Sequence, residues 1–215
     1  MLEDSFVQPR RRFLGRAAAA LAALAAGAPS LAYAGTSGRD TEMTENDAWM
    51  TPLKGKHRQF FHTIAAGETA MLMASNFLDT YAEAYGAKAG EANAVIGMHG
   101  PALSIGFNDA AWAKYELGKG SSVTDPSTKA PAARNVFATG GPLAVDTLQK
   151  KGVVFLLCNN ALRMRSRGIA AERGETFETV YEDLKASRLP GVLLVPAMVV
   201  AINRAQEAGF TYVRA

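Results

Sequence analysis

Apolar and polar residues change pattern repeatedly along the chain, and these changes predict strands and helices in alternation. A short β-type run at 58–64 precedes the segment 71–81, whose apolar residues recur at helical spacing. Further β-type runs lie at 94–98, 153–157, 192–195 and 210–213, and helical patterns lie at 108–117, 143–150, from 160 onward, 177–186 and 198–208. This alternation predicts an α/β fold in which helices cover a mostly parallel sheet of five strands.

Two segments within this pattern differ from the rest. Residues 153–157 are apolar on both faces, which is typical of a central strand in a parallel sheet. Residues 118–135 are rich in Gly, Ser, Asp and Pro, which are turn-forming residues. We therefore expect a central strand at 153–157 and a long loop at 118–135, and loops of that length are often functional or mobile.

The first 34 residues have the pattern of an export signal. Three arginines at 10–12 come directly before Phe-Leu and an Ala-rich run, and Ala-Tyr-Ala at 32–34 places small residues at cleavage spacing. The paired arginines resemble the twin-arginine signal. The apolar run is shorter and less hydrophobic than a membrane-spanning helix, so an uncleaved anchor is the less favoured interpretation. We expect a twin-arginine-type signal peptide at 1–34 that engages the twin-arginine export machinery and is cleaved after Ala34, giving a periplasmic protein.

The remaining chain has the size of one domain. Residues 35–56 are polar and mixed and predict an extended arm, and residues 57–215 predict a single α/β domain. The whole chain has 23 basic and 20 acidic residues, and the first 34 residues hold four and two of them, so 19 and 18 remain. A nearly neutral mature chain argues against nucleic acid as a partner, because broad phosphate neutralisation needs a basic surface.

Cys158 is the single cysteine, which excludes an internal disulfide. It follows the most apolar strand and precedes Asn159 and Asn160, where a helical pattern begins. Reactive groups in parallel sheets gather at the carboxyl ends of strands, and a helix N-terminus favours a thiolate. Two interpretations stay open, a reactive thiol and an ordinary buried cysteine.

Three segments carry a resemblance to a known family. They are 107–118 (Phe-Asn-Asp-Ala-Ala-Trp-Ala-Lys-Tyr-Glu-Leu-Gly), 152–162 (Gly-Val-Val-Phe-Leu-Leu-Cys-Asn-Asn-Ala-Leu) and 189–210, which begins Leu-Pro-Gly-Val-Leu-Leu-Val-Pro. Together they resemble the DsrE/DsrF family over nearly the whole mature domain. The resemblance implies a flavodoxin-like three-layer sandwich, a homo-oligomer such as a trimer or hexamer, and a cysteine after the third strand that carries sulfane sulfur as a persulfide. Cys158 falls at that position.

If that activity applies, Cys158 attacks a sulfane sulfur, holds it as a persulfide and yields it to the thiol of an acceptor protein. Arg163 and Arg167 lie four residues apart and would share a helix face that could attract an anionic sulfur compound. Arg163 is therefore a candidate binding residue, although a solvated helix face is the simpler explanation.

Two histidines are expected at the same edge of the sheet as Cys158. His99 follows the second strand, where an imidazole could serve as a base, a ligand or a hydrogen-bond donor, and His62 ends the first strand and could approach it. Taken singly, such histidines are more often structural. The set suggests a soft-metal site, but the chain has no His or Cys spacing of a recognised kind. We expect no cofactor, and a metal site stays open.

Two functions follow from these observations. The first is an exported sulfur-handling protein, a sulfurtransferase or sulfur carrier, that uses Cys158. The second is a non-catalytic periplasmic binding or assembly protein that holds a small ligand or metal near His99, Asn108 and Cys158. Asn108 is also placed to cap the helix that follows it, which would explain it without a ligand. The candidate site residues are Cys158 as the catalytic residue and His99, Asn108, Asn159, Asn160 and Arg163 as binding residues.

Overall fold

The computed structural model describes residues 44–215. The predicted signal peptide, its cleavage point after Ala34 and the first part of the predicted arm lie outside the described residues. Among residues 44–215, no helix is both long and apolar enough to cross a membrane.

Strands and helices alternate along the described chain. The strands are β1 (His57–Thr63), β2 (Ala92–Met98), β3 (Val154–Cys158), β4 (Val192–Val195) and β5 (Thr211–Arg214). The α-helices are α1 (Thr69–Tyr85), α2 (Asp109–Lys114), α3 (Leu117–Gly120), α4 (Val145–Lys150), α5 (Asn159–Arg173), α6 (Phe177–Ala186) and α7 (Met198–Glu207). Two 3-10 helices lie at Glu45–Met50 and Gly100–Gly106.

The strands form one five-stranded sheet in the order β4-β3-β2-β1-β5, and every pairing is parallel. The prediction of a flavodoxin-like α/β fold with a mostly parallel five-stranded sheet is confirmed. β3 lies inside the sheet between β2 and β4, and its residues Phe155, Leu156 and Leu157 are fully buried. The all-apolar run therefore marks a strand that is covered on both faces.

Helices cover both faces of the sheet. On one face, Phe61 of β1 packs against Phe77 of α1. On the other face, Phe60 of β1 packs against Trp49 of the first 3-10 helix. α7 lies on this second face, where a side chain on Gly97 of β2 would come within 2.5 Å of the Met198 sulfur and the Phe60 ring. Glycine at 97 thus allows the start of α7 to approach the sheet closely.

The predicted extended arm is wrong for its described part. Residues Glu45–Met50 form a 3-10 helix, and Trp49, Met50 and Leu53 are buried. A capping box between Thr44 and Asp47 starts this helix. Trp49 packs against Phe60 of β1, so the few apolar side chains of this polar segment belong to the core.

The predicted helix at 108–117 and loop at 118–135 also differ from the structure. The helix is divided into α2 and α3, because Glu116 between them has a left-handed backbone with φ of 47°. α3 occupies the start of the predicted loop, and an isolated antiparallel bridge joins Thr124 and Pro131. Val123 and Ala132 are buried. This segment is therefore anchored to the core, although its composition is that of a loop.

Candidate functional site

The carboxyl ends of β1, β2 and β3 bring three predicted residues to one edge of the sheet. Thr63 pairs with Met98, and Met98 pairs with Leu157, so the residues at these strand ends are neighbours. The rings of His62 and His99 lie 6.0 Å apart between centroids. Cys158, one residue beyond Leu157, is the last residue of β3. The sequence predicted that these strand ends meet, because the carboxyl ends of parallel strands lie at one edge of the sheet.

Cys158 joins β3 directly to α5 and is the N-cap residue of that helix. Its Sγ accepts the backbone N–H of Ala161 at 3.5 Å and that of Met198 at 3.3 Å. These donors come from the first turns of two helices, α5 and α7. The side chain is buried, with 2% of the residue exposed. Two converging N–H groups form a pocket suited to negative charge on sulfur, since both stabilise an anion more than a neutral thiol.

The two asparagines after Cys158 face other partners. Asn159 accepts a hydrogen bond from the hydroxyl of Tyr181 on α6 at 2.8 Å. Asn160 is exposed, and its backbone N–H donates to the carbonyl of Pro196 at 3.2 Å. Asn159 therefore fastens α6 to α5, and the backbone of Asn160 holds the loop that leads into α7.

Arg163 stacks on aromatic rings of α6. Its guanidinium lies 5.1 Å from the ring centre of Phe177 and 5.4 Å from that of Tyr181. Arg167 lies over Phe177 as well, at 5.0 Å. Cation–π contacts of this kind hold the α5 and α6 helices together. These two arginines do share a helix face, but that face is packed against α6.

Asn108 lies away from the other predicted site residues. Its Oδ1 accepts the backbone N–H of Ala111 at 3.0 Å, which is an N-cap of α2. It borders a separate surface depression together with Arg134 and Asn135. The capping explanation accounts for Asn108, and the small-ligand pocket expected near Cys158 does not include it.

His62 has an unusual environment at this edge. Its Nδ1 lies 3.1 Å from the hydroxyl of Tyr212 on β5, while its Nε2 is buried without a hydrogen-bond partner among the described residues. Burial lowers the pKa of His62, and the nearby charges of His99 and Arg214 lower it further. This environment therefore favours the neutral form of the His62 imidazole. Within the described chain, no group of three His, Cys, Asp or Glu side chains could hold a metal ion.

A cavity of about 400 Å³ opens beside His99. It lies between the second 3-10 helix, α3 and the face of α5 that carries Ala161, Arg165 and Glu172. Of the residues that line it, His99 was predicted from the sequence, and Arg165 and Glu172 were not. The available signal was helical spacing, because residues 161, 165, 168 and 172 recur on one face of α5.

Comparisons with known proteins identify no family for this chain. No family model matches it, and no curated protein matches it significantly. Among solved structures it is similar to the protein of unknown function MTH1491 from Methanobacterium thermoautotrophicum, at 19% identity and a TM-score of 0.42. That alignment covers 74% of this chain and 99% of the other.

Proposed function

We propose that this protein is a sulfur carrier that holds sulfane sulfur as a persulfide on Cys158. The observation that carries the proposal is the pair of backbone N–H groups, from Ala161 and Met198, that point at Sγ. A thiolate and a persulfide are both anions, so the same two donors stabilise the sulfur before and after loading. The place of Cys158 after the third strand, as in the DsrE-like resemblance, supports the same activity.

The chemistry needs only a thiolate and a sulfane donor such as thiosulfate. The thiolate of Cys158 attacks the outer sulfur of thiosulfate, a new S–S bond forms, and sulfite leaves with the electron pair of the broken bond. The persulfide then yields its outer sulfur to the thiolate of an acceptor protein, and Cys158 leaves as a thiolate. Neither step requires another oxidant or reductant.

Burial of the thiol sets a condition on this cycle. Cys158 is 2% exposed, so neither a donor nor an acceptor thiol reaches Sγ without local movement. The N–H of Met198 belongs to the first turn of α7, whereas that of Ala161 belongs to the helix that Cys158 itself caps. Displacement of the first turn of α7 would release the N–H of Met198 from Sγ while Cys158 stays the N-cap of α5. We propose that loading and unloading take place in this open form.

The predicted export signal implies that the proposed carrier acts in the periplasm. A periplasmic carrier would fold before it passes through the twin-arginine machinery, and its thiol acceptor would be another exported protein. The resemblance adds a homo-oligomer, a trimer or hexamer, as the proposed working form.

Release of sulfite tests the carrier proposal. Purified protein incubated with thiosulfate is expected to release about one sulfite per chain in a single loading. Cys158→Ser is expected to release none. Asn108→Ala is the control, because its side chain caps α2 away from Sγ. Equal sulfite release by the Cys158→Ser variant and the unaltered chain would refute the proposal.

A further inference from the structure

The cavity beside His99 is a separate site from the thiol. Cys158 does not line it, and its Sγ is bound by the N–H of Met198 from α7 instead. Ala161 is the point of contact between them, since its side of α5 lines the cavity and its N–H donates to Sγ. A ligand can therefore bind in the cavity whether or not Cys158 carries sulfur.

The walls of the cavity are mainly apolar. They are formed by Pro101, Leu103, Phe107, Leu117, Met164 and Ile169. This apolar wall is well packed, because four of its residues also belong to the buried core: Leu103, Phe107, Leu117 and Ile169. A volume of about 400 Å³ lies in the range of small-molecule sites in proteins. These walls suit a ligand with a compact apolar body.

Arg165 supplies a cation within this apolar wall. It is half-buried, and in the part of the chain that the structure describes no carboxylate forms an ion pair with it. Its guanidinium rests against Gly120 at the end of α3, where a side-chain carbon on residue 120 would overlap it. The absence of a side chain at 120 thus leaves room for the guanidinium. Nearby arginines such as Arg173 are instead paired, in that case with Glu175 at 2.7 Å.

Glu172 limits the charge that the ligand can carry. It lines the same cavity and lies seven residues beyond Arg165, on the same face of α5 and roughly 10 Å further along the helix. A second negative charge on the far side of the ligand would approach this carboxylate and be repelled. The site therefore favours one anionic group at Arg165 and an uncharged remainder.

We propose that this cavity binds a small amphipathic monoanion, with a carboxylate on Arg165 and an aliphatic or aromatic body against the apolar wall. A guanidinium can form two parallel hydrogen bonds to a carboxylate, which fixes the head group. The apolar body gains affinity from burial in a cavity that is already lined by core residues.

Calorimetric titration of the full chain with three eight-carbon probes tests this proposal. Octanoate is expected to bind, and octanol, which lacks the charge, is expected to bind at least about tenfold more weakly because it loses a charge-assisted hydrogen bond. Suberate, with a second carboxylate, is expected to bind more weakly than octanoate.

Two variants assign the binding to Arg165. Arg165→Met keeps the apolar stem and is expected to weaken octanoate binding about tenfold while leaving octanol unchanged. Gly120→Ala is expected to weaken octanoate in the same direction, because the added methyl group displaces the guanidinium. Arg173→Met is the matched control on the same helix. Absence of octanoate binding, equal affinity for octanol, or unchanged affinity in Arg165→Met would each overturn the proposal. Cys158→Ser is expected to bind octanoate normally, so failure of the carrier proposal is distinguishable.

Discussion

The side chain of Cys158 is held by backbone groups that belong to two helices. Its position could be predicted from the sequence, because the apolar run of β3 ends at this residue and a helical pattern follows at once. The second donor, the N–H of Met198, could not be predicted. It comes from a residue 40 positions away, whose approach depends on how α7 crosses the sheet.

Removal of the sulfur is expected to reduce stability. Cys158→Ala leaves the N–H groups of Ala161 and Met198 without their acceptor and opens a small void, so the free energy of unfolding should fall by about 1–3 kcal/mol. Cys158→Ser keeps an acceptor and should lose less. Urea denaturation of the two variants checks this, and a Cys158→Ala variant as stable as the unaltered chain would contradict the hydrogen-bonded sulfur.

His62 is expected to make stability depend on pH in the mildly acidic range. Its pKa is lowered in the folded protein, so the unfolded chain binds a proton first as the pH falls. The contribution of His62 to the free energy of unfolding is complete above the ordinary histidine pKa of about 6.5. It is lost as the pH falls through the lower pKa that His62 has in the folded protein. Denaturation between about pH 7.5 and 5 should show this loss, and His62→Gln should reduce it. An unchanged slope in His62→Gln would show that another group is responsible.

Asn108 is expected to matter for stability alone. Asn108→Ala removes the N-cap of α2 and should lower the free energy of unfolding by about 1 kcal/mol. Asn108→Asp retains a capping oxygen and should recover most of the loss. Denaturation curves measure both variants. Loss of sulfite release in a folded Asn108→Ala variant would mean that this residue takes part in the thiol chemistry.

At the scale of elements, prediction succeeded where local signals agreed. The pattern at 177–186 predicted α6, which has Thr176 as a hydrogen-bonded N-cap, and the run at 192–195 predicted β4. It failed where tertiary packing overrides composition. The polar segment before β1 forms a 3-10 helix because Trp49 packs against Phe60 and Phe210.

An ion pair joins the first 3-10 helix to α7. Asp47 is 4% exposed and accepts hydrogen bonds from the Nε and Nη2 atoms of Arg204 at 3.1 and 2.7 Å. The hydrogen bond from Arg204 is the main cause that lowers the pKa of Asp47. Its stabilising contribution is therefore present at neutral pH and is lost as the pH falls below about 4.

Asp47→Asn is expected to lower the free energy of unfolding by about 2 kcal/mol, because it replaces a buried carboxylate that accepts two charge-assisted hydrogen bonds from Arg204 by a neutral amide. Asp79→Asn is the matched control. Its ion pair with Lys151 is 40–46% exposed at the side chains and should contribute below about 1 kcal/mol. Equal losses in the two variants, measured by urea denaturation at neutral pH, would contradict the larger stabilising effect assigned to the Asp47–Arg204 pair.

At the scale of the whole molecule, the strand order assembles the site. β1 to β4 follow one another across the sheet in one direction. The connection through α7 then crosses back over the sheet, so that β5 pairs with β1 at the opposite end from β4. This return puts the start of α7 against Cys158, and it puts Tyr212 and Arg214 beside His62. Periodicity predicted the number of strands and their parallel pairing, but not this order, so neither neighbourhood could be derived from the sequence.

The cavity beside His99 also depends on contacts between segments that are far apart in the sequence. α3 lies in a segment whose composition predicted a loop, and it is this helix that brings Gly120 against Arg165 of α5. A glycine in a loop and an arginine on a helix carry no signal of contact in the sequence. The packing of these two helices places the guanidinium of Arg165, which has no ion-pair partner among residues 44–215, in an apolar wall.

The mass of the loaded protein tests the central claim most directly. After incubation of the full chain with thiosulfate or polysulfide and removal of the excess, the peptide that contains Cys158 should gain about 32 Da per sulfur atom, and a reducing thiol should remove the gain. The Cys158→Ser protein should gain nothing. A Cys158 peptide that keeps its original mass, measured under conditions where a small free thiol is loaded, would contradict the proposal that this protein is a sulfur carrier.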